Sequence, residues 1–172
     1  SVKMLKEGDR VTGAPLVACG TCGYCRKGRP NLCEKGDVLT QVRDGAMASY
    51  ITVPAELLHR IGDGIDTDKG VLLEPLSVAI HALRMCDRIE GQLIAVCGAG
   101  ALGILFVQAA RAMGAARAVS VGKHDFQREL ARSMGADDAV DPSAVPDDLF
   151  GAADIAIDCV GGRGEGLSQA MK

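Results

Sequence analysis

Four cysteines within one short stretch constrain this chain more than any other feature of its sequence. Cys19, Cys22, Cys25 and Cys33 lie in the run CGTCGYCRKGRPNLC, with the spacing C-x2-C-x2-C-x7-C. Four thiolates that converge on one point suit a tetrahedral soft-metal site, for which zinc is the usual occupant. Four protein ligands also close the coordination shell and leave no position for a catalytic water. The run therefore predicts a loop organised around a structural zinc ion.

Other interpretations of these cysteines match the spacing less well. A bacterial iron–sulfur run has a three-residue final gap and a following proline, whereas here the final gap is seven residues and Glu34 follows. Disulfides form in oxidising compartments, and the sequence does not open with a signal-peptide pattern. Zinc ribbons of nucleic-acid-binding proteins use two separated CxxC pairs. The remaining cysteines, Cys86, Cys97 and Cys159, lie in apolar runs typical of small buried hydrophobic residues.

Composition narrows the class of protein. The 172 residues suffice for one domain or two small ones. The formal charge is −3 and no basic run stands out, which argues against a nucleic-acid-binding surface. No apolar stretch reaches membrane-spanning length, so a membrane partner is not expected. Seven cysteines without a secretory signal predict a cytoplasmic protein.

The second half of the chain alternates strand and helix patterns. Apolar runs predict strands at residues 93–97, 118–121 and 154–160, with a short one at 139–140. Between them, residues 98–103 turn the chain into a helix that runs to about residue 113, and residues 126–134 have a second helical pattern; Gly114 and Gly135 end the two helices. Strands that alternate with helices predict a parallel sheet with right-handed crossovers. The fold class is therefore α/β, with a Rossmann-type parallel sheet in the C-terminal part.

The first half has patterns of strands and loops. Residues 50–53 are β-branched or aromatic and predict a strand that Pro54 ends. A helix is predicted to begin at Glu74 and Pro75, because proline and an acidic residue both favour a first helical turn. Apolar residues surround most of this helix over residues 76–85, which predicts a largely buried helix.

A glycine pattern predicts a dinucleotide site. Gly98, Gly100 and Gly103 have the spacing G-x-G-x-x-G, and they follow a predicted strand and open a predicted helix. The glycines allow a tight turn, a close approach of backbone to a pyrophosphate, and close packing of helix on strand. The helix N-terminus then offers free N–H groups to the phosphates, and its residues include Ala101 and Leu102. The alternative is a glycine-rich turn that only packs.

The end of the next strand predicts which cofactor is preferred. An NAD site usually has Asp or Glu there for the ribose 2′-hydroxyl, but this chain has Gly122, followed by Lys123 and His124. Without the acid, a 2′-phosphate meets no repulsion, and the two basic side chains could pair with it. We therefore predict NADP. The alternative is an NAD site in which Lys123 is a solvated loop residue and Asp125 supplies the acid.

Six motifs in order carry a family resemblance. They are GDRV at 8–11, the cysteine run at 19–33, GAMASYITVPA at 45–55, EPLSVAIHAL at 74–83, GAGALG at 98–103 and DCVGG at 158–162. Together they resemble the zinc-dependent medium-chain dehydrogenase/reductase family, and within it the polyol branch of sorbitol- and threonine-dehydrogenase-like enzymes. The resemblance implies a partial GroES-like β-barrel domain at residues 1–74 and a partial Rossmann domain at 75–172.

The same resemblance implies hydride transfer between a nicotinamide cofactor and an alcohol, polyol or ketone, in a protein that forms homo-oligomers. A catalytic zinc then polarises the substrate oxygen. The glutamate of the family's EPL motif corresponds to Glu74, which would lie at or beside that zinc. The alternative for Glu74 is an acid that only stabilises the helix start. His81 lies in the same apolar helix and is interpreted as a structural residue.

Two departures from the family shape the expected function. The first zinc ligands normally come from a Cys and a Gly-His-Glu segment before GDRV, and the sequence given contains neither. The family also continues beyond the position of Lys172. We therefore expect an internal part of a dehydrogenase that by itself lacks the catalytic zinc and is inactive. The alternative is a non-catalytic, zinc-stabilised nucleotide-binding fragment.

Overall fold

The computed structural model describes residues 4–42, 44–146 and 149–161. The chain forms two compact units, Ser1–Glu74 and Pro75–Lys172. Each has its own strands and its own sheet pairing. They are described separately below.

The first unit has short strands joined by long turns. Its strands are β1 (Val11–Gly13), β2 (Leu16–Val17), β3 (Asp37–Val38) and β4 (Leu58–Arg60). β1 pairs antiparallel with β4, and β2 pairs antiparallel with β3. Its helical turns are α1 (Gly23–Arg26), α2 (Leu39–Val42) and α3 (Thr67–Gly70), with 3-10 turns at Pro30–Leu32 and Ala55–Leu57. Strands of two or three residues bury little surface, so most of this unit is loop.

The strand predicted at residues 50–53 is wrong. These residues have no regular secondary structure, and no strand in the described part of the chain pairs with them. The side chains of Tyr50 and Ile51 are 93% and 41% exposed. β-propensity reflects packing on a half-buried pleated surface, so residues of this type form a strand only where a neighbouring strand accepts them.

The second unit is a four-stranded sheet flanked by helices. Its strands are β5 (Leu93–Cys97), β6 (Arg117–Val121), β7 (Asp138–Val140) and β8 (Ile155–Asp158). The strand order is β7-β6-β5-β8, and every pair is parallel. Its helices are α4 (Leu73–Leu83), which begins in the first unit, α5 (Ala101–Ala112), α6 (Asp125–Ser133) and α7 (Leu149–Ala152), with a 3-10 turn at Pro142–Ala144. The predicted Rossmann-type parallel sheet is confirmed.

The core of this unit lies between the sheet and its helices. Ile94, Val96 and Val107 are fully buried, as are most other residues of β5 and of the inner face of α5. The central strands are almost wholly apolar because helices cover the faces of a parallel sheet. Ser120 in β6 is the exception, since its hydroxyl is buried without a hydrogen-bond partner in the described residues.

Helix α4 is less buried than its composition predicts. Only Ala79 and Leu83 are fully buried, whereas Val78 and Met85 just beyond the helix end are 47% and 76% exposed. Only one face of the helix packs against the core, and apolar residues on the other face remain at the surface. No helix in the described residues has the length and apolar character needed to cross a bilayer.

Candidate functional site

The four cysteines of the sequence motif come together in the first unit. Cys19 follows β2, Cys22 is the N-cap of α1, Cys25 lies within α1, and Cys33 is the C-cap of the 3-10 turn that follows. The sulfur of Cys22 accepts a hydrogen bond from the backbone N–H of Cys25 at 3.5 Å, as an N-cap side chain does. In the described residues this is the one group of three or more His, Cys, Asp or Glu side chains whose ligand atoms converge.

The sulfur positions match a tetrahedral metal site. Cys22 Sγ lies 3.4 Å from Cys25 Sγ and 3.9 Å from Cys33 Sγ, and Cys19 Sγ lies 4.0 Å from Cys25 Sγ. A zinc–sulfur distance of about 2.3 Å places tetrahedral ligands about 3.8 Å apart. All four sulfurs lie within 4.8 Å of one another, and all are free thiols. The donor set and the spacing both fit zinc, and the site can bind metal without rearranging its loop.

Local hydrogen bonds and burial act on these thiols in opposite directions. The N–H and hydroxyl of Thr21 and the N–H of Cys22 all donate to Cys19 Sγ, and they lower the pKa of Cys19 to about 6. Burial first, and the neighbouring sulfurs next, raise the pKa of Cys25 to about 12. Four thiolates at neutral pH therefore require a divalent cation among them, and metal binding must release protons.

The three glycines of the turn in the second unit do not all have the same role. Gly98 follows β5 with φ +102°, and a Cβ there would lie 2.9 Å from the backbone carbonyl of Cys159. A Cβ at Gly103 would lie 1.8 Å from the carbonyl oxygen of Gly98, so no larger residue fits. Gly100 is the N-cap of α5, and a Cβ there would meet no atom within 4 Å. Two of these glycines thus allow close packing, and the third borders open space.

That open space lies where a phosphate would be held. Residues Ala101, Leu102 and Gly103 form the first turn of α5, whose N–H groups have no partner within the helix. The turn lies at the carboxyl end of β5, between β6 on one side and β8 on the other. This is the switch point of an open parallel sheet, where such folds bind nucleotides. The geometry matches the predicted pyrophosphate site, and the roles of individual residues stay predictions.

The end of β6 presents a basic, exposed segment beside the glycine turn. Gly122 packs so closely that a Cβ would lie 2.6 Å from the Cβ of Ala99 in that turn. Lys123 and His124 follow on the surface, and the His124 ring stacks on Phe126 with centroids 5.8 Å apart. The predicted cofactor residues 98–103 and 122–124 therefore share one edge of the sheet.

The sequence analysis missed Arg128 at this edge. Its guanidinium is 15% exposed and donates to the carbonyl oxygen of Gly122 at 2.6 Å and to Asp141 Oδ2 at 3.0 Å. It also forms an ion pair with Asp125. The i,i+3 spacing of Asp125 and Arg128 on a helix was the one available signal. The contacts with Gly122 and Asp141 depend on how β6 and β7 pair.

The three cysteines outside the cluster are packed as predicted for small hydrophobic residues. Cys97 is fully buried at the end of β5, and Cys86 and Cys159 are partly buried against the core. Burial raises the pKa of both Cys97 and Cys159 to about 11, and the carboxylate of Asp158 adds to the rise. The thiols of Cys97 and Cys159 are therefore protonated at neutral pH, and neither belongs to a converging group of ligands in the described residues.

Glu74 and His81 both lie exposed on α4. Glu74 is in the first turn, and His81 lies two turns later on the same side of the helix. Exposure of His81 contradicts the assumption that this histidine is buried in the apolar helix. Glu74 also occupies the first-turn position that the helix dipole favours, so both interpretations of this residue stay open.

Two family models match the chain. The model described as "Alcohol dehydrogenase GroES-like domain" matches residues 1–63, and the model described as "Zinc-binding dehydrogenase" matches residues 101–172. The first match covers nearly all of the first unit, and the second covers most of the parallel sheet and the helices on it. The predicted combination of GroES-like and Rossmann-type parts is thereby confirmed.

Individual proteins agree with these models. A protein of Emericella nidulans named probable D-xylulose reductase A is 35% identical over 94% of this chain and 48% of its own length. A Sinorhizobium meliloti protein described as "a putative zinc-binding dehydrogenase" and bound to NADP has a TM-score of 0.84 at 33% identity, over 93% of this chain and 49% of that one. An Escherichia coli alcohol dehydrogenase complexed with NADH has a TM-score of 0.84 at 28% identity, over 95% of this chain and 50% of that one. The chain thus spans about half the length of the relatives it matches.

Proposed function

We propose that this chain, which belongs to the zinc-dependent medium-chain dehydrogenase/reductase family, carries the structural zinc lobe and the nucleotide-binding loop of an NADP-preferring alcohol or polyol dehydrogenase. The observation that carries the proposal is the glycine turn at the carboxyl end of β5. It combines two closely packed glycines, Gly98 and Gly103, with a third, Gly100, that borders open space in front of a helix N-terminus. Such a turn suits a pyrophosphate.

The preference for NADP is supported by the end of β6. Gly122 has no room for the acidic side chain that would bind a ribose 2′-hydroxyl, because Ala99 lies against it. Lys123 and His124 are exposed there and can pair with a 2′-phosphate. The Sinorhizobium meliloti relative is bound to NADP, whereas the Escherichia coli relative is complexed with NADH. Within this family either cofactor is therefore available, and the residues of this chain favour the phosphorylated one.

The reaction is hydride exchange between the nicotinamide and a secondary alcohol or ketone. The first turn of α5 and the segment 122–124 would hold the phosphates of a bound cofactor, which would supply or accept the hydride. Glu74 is proposed to lie at or beside a catalytic zinc, which acts as a Lewis acid on the substrate oxygen. The carboxylate of Glu74 would then hold the metal directly or through a water molecule.

A polyol or ketose is the proposed substrate class, since one relative is named a D-xylulose reductase. The test is the oxidation of NADPH and of NADH by the zinc-loaded whole protein, with D-xylulose, other ketoses and simple ketones as substrates. We expect turnover with NADPH and a ketose at a higher kcat/KM than with NADH. Turnover of no carbonyl compound with either cofactor would remove the dehydrogenase assignment.

For the 172-residue chain by itself, we propose one bound zinc and no dehydrogenase activity. This rests on the single converging group of ligands in the described residues, which is the cysteine cluster. A native mass spectrum of the 17.8 kDa chain should show one zinc ion. A second bound zinc, or reduction of NADP with an alcohol, would contradict this proposal.

The cellular context is also a proposal. Seven free cysteines support a reducing compartment such as the cytoplasm. The acidic net charge of −3 supports small-molecule substrates rather than nucleic acid or a membrane surface. Homo-oligomer formation by the whole protein rests on the family resemblance, and light scattering would measure it.

A further inference from the structure

Arg128 makes three polar contacts at the end of β6. Its guanidinium donates to the carbonyl oxygen of Gly122 at 2.6 Å and to Asp141 Oδ2 at 3.0 Å, and it forms an ion pair with Asp125. The side chain is only 15% exposed. Arg128 therefore links the last residue before the basic segment, the start of α6 and the end of β7. A planar guanidinium can make these bonds together, whereas a lysine ammonium cannot match the fork.

Asp125 is the nearest acidic residue to the basic segment. It follows Lys123 and His124 directly and is 87% exposed at the first position of α6. A carboxylate at this edge would accept a ribose 2′-hydroxyl and repel a 2′-phosphate. Its ion pair with Arg128 occupies and neutralises it. Asp141, the other acid facing Arg128, also receives hydrogen bonds from the N–H and hydroxyl of Ser143.

We propose that Arg128 determines cofactor specificity by holding Asp125 and Asp141 in ion pairs, so that Lys123 and His124 set the charge that meets the 2′ position of the ribose. The proposal rests on nucleotide binding at this edge, as argued above, and adds a positioning residue to it. Arg128 itself needs no contact with the cofactor. It acts by pairing with the two carboxylates, and its hydrogen bond to the Gly122 carbonyl holds the backbone of residues 122–124 in position.

The local charges show why a single arginine matters. Lys123 and Arg128 each carry +1, Asp125 and Asp141 each carry −1, and His124 adds a charge only when protonated. With Arg128, the net charge of these five side chains is zero, or +1 when His124 is protonated. Without Arg128, it is −1, or zero when His124 is protonated. A 2′-phosphate, which carries up to two negative charges, is sensitive to that difference, whereas an unphosphorylated ribose is not.

The test compares equilibrium binding of NADPH and of NADH to the whole, zinc-loaded protein, read from nicotinamide fluorescence. Arg128→Leu should lower the ratio of NADPH to NADH affinity by about tenfold or more. The substitution removes the ion pair with Asp125, whose carboxylate is then free to repel the 2′-phosphate. Arg132→Leu is the matched control. It removes the same charge one turn later on α6, where Arg132 faces Asp138 and the Ala139 carbonyl instead. Its affinity ratio should change by less than about twofold.

A second substitution identifies Asp125 as the released acid. Adding Asp125→Asn to Arg128→Leu should restore most of the lost preference. In the otherwise unsubstituted protein, Asp125→Asn should change the affinity ratio by less than about twofold, because Asp125 is already neutralised. This single variant also tests the proposal if Arg128→Leu does not fold.

The outcomes separate this proposal from the proposed function. Tighter NADH than NADPH binding by the unsubstituted protein overturns the NADP preference, whereas the role of Arg128 is read from the change that each substitution makes. The role of Arg128 is overturned if Arg128→Leu changes the NADPH-to-NADH affinity ratio no more than Arg132→Leu does. It is also overturned if adding Asp125→Asn to Arg128→Leu fails to restore the ratio. A rise of about fivefold or more in NADPH preference in the Asp125→Asn single variant overturns it as well.

Discussion

At the scale of single residues, glycines in one turn serve different physical purposes. Gly98 and Gly103 are required by neighbouring backbone, which lies 2.9 and 1.8 Å from the positions of their absent Cβ atoms. Gly100 faces no protein atom within 4 Å. Substitution can therefore separate the contribution of the turn to folding from its contribution to ligand binding.

Gly103→Ala should destabilise the second unit by more than about 3 kcal/mol, because its Cβ would overlap the Gly98 carbonyl and force β5 and α5 apart. Gly100→Ala should leave stability within about 0.5 kcal/mol but weaken NADPH binding by at least about tenfold. Urea unfolding and NADPH fluorescence titration measure the two quantities. Equal loss of stability in both variants would contradict the division of roles.

Asp141 at the end of β7 should make stability depend on pH. Hydrogen bonds from Ser143 first, and then the Arg128 guanidinium, hold the pKa of Asp141 below its usual range. The pKa in the unfolded chain is about 3.9, so folding favours the ionised form. The stabilisation is present above that value and is lost as the pH falls through the lower folded pKa.

Asp141→Asn should therefore lower the free energy of unfolding at pH 7, and the difference from the unsubstituted protein should shrink as the pH falls below about 4. Urea unfolding over this pH range measures it. Asp87→Asn is the control, since Asp87 is exposed in the same unit and makes no hydrogen bond or ion pair in the described residues. A difference for Asp141→Asn that does not vary with pH would contradict the linkage.

At the scale of elements, we expect the first unit to depend on metal binding by its cysteine loop. Its four strands have two or three residues each, and few of its side chains are buried. A bound zinc ion joins β2, α1 and the 3-10 turn at Pro30–Leu32 through the cysteines that follow or lie in them. Such sites contribute folding free energy directly, because the unfolded chain has no formed site.

Cys22→Ser should reduce zinc affinity by at least about a hundredfold, since it removes one of the four thiolates, while the serine hydroxyl can still cap α1. Competition with a chromophoric chelator measures the affinity, and circular dichroism follows the loss of ordered structure. Cys86→Ser is the matched control, because Cys86 lies outside the cluster, just beyond the end of α4. Zinc affinity reduced equally by both substitutions would argue against the four-cysteine site.

At the scale of the whole molecule, the chain combines two units with different candidate sites. One contains the metal cluster and the other contains the nucleotide edge. Because the chain spans about half the length of its relatives, substrate and activity belong to the whole protein and are proposed for it. Ligand binding can nevertheless be tested without an activity assay, because a ligand that binds the folded protein raises its free energy of unfolding.

NADPH at a hundred times its dissociation constant should raise the free energy of unfolding of the whole protein by about 2.7 kcal/mol, provided that only the folded state binds it. NADH at the same concentration should give a smaller rise. Differential scanning fluorimetry compares the two cofactors. In Gly100→Ala, an affinity about tenfold weaker should reduce the NADPH effect at the same concentration to about 1.4 kcal/mol or less. An NADPH effect that Gly100→Ala leaves at its full size would place the nucleotide elsewhere.

Much of the fold and part of the candidate site were predictable from local patterns. The cysteine cluster forms within one loop, so its spacing alone brings the sulfurs together. The strands β5 and β6 and the glycine turn also follow from short-range patterns of apolar residues and glycines. The strand predicted at residues 50–53 failed because its formation depends on a pairing partner that no local pattern specifies.

The sequence by itself determined the metal-binding chemistry, the alternation of strands and helices, and the family. Only the tertiary structure decided which glycines are required by packing, because Gly98 meets the backbone of Cys159 and Gly122 meets Ala99. The same holds for Arg128, whose partner Asp141 comes from a neighbouring strand end. Contacts of this kind depend on the order and register of parallel strands, which are set by the packing of the whole sheet rather than by any short stretch of residues.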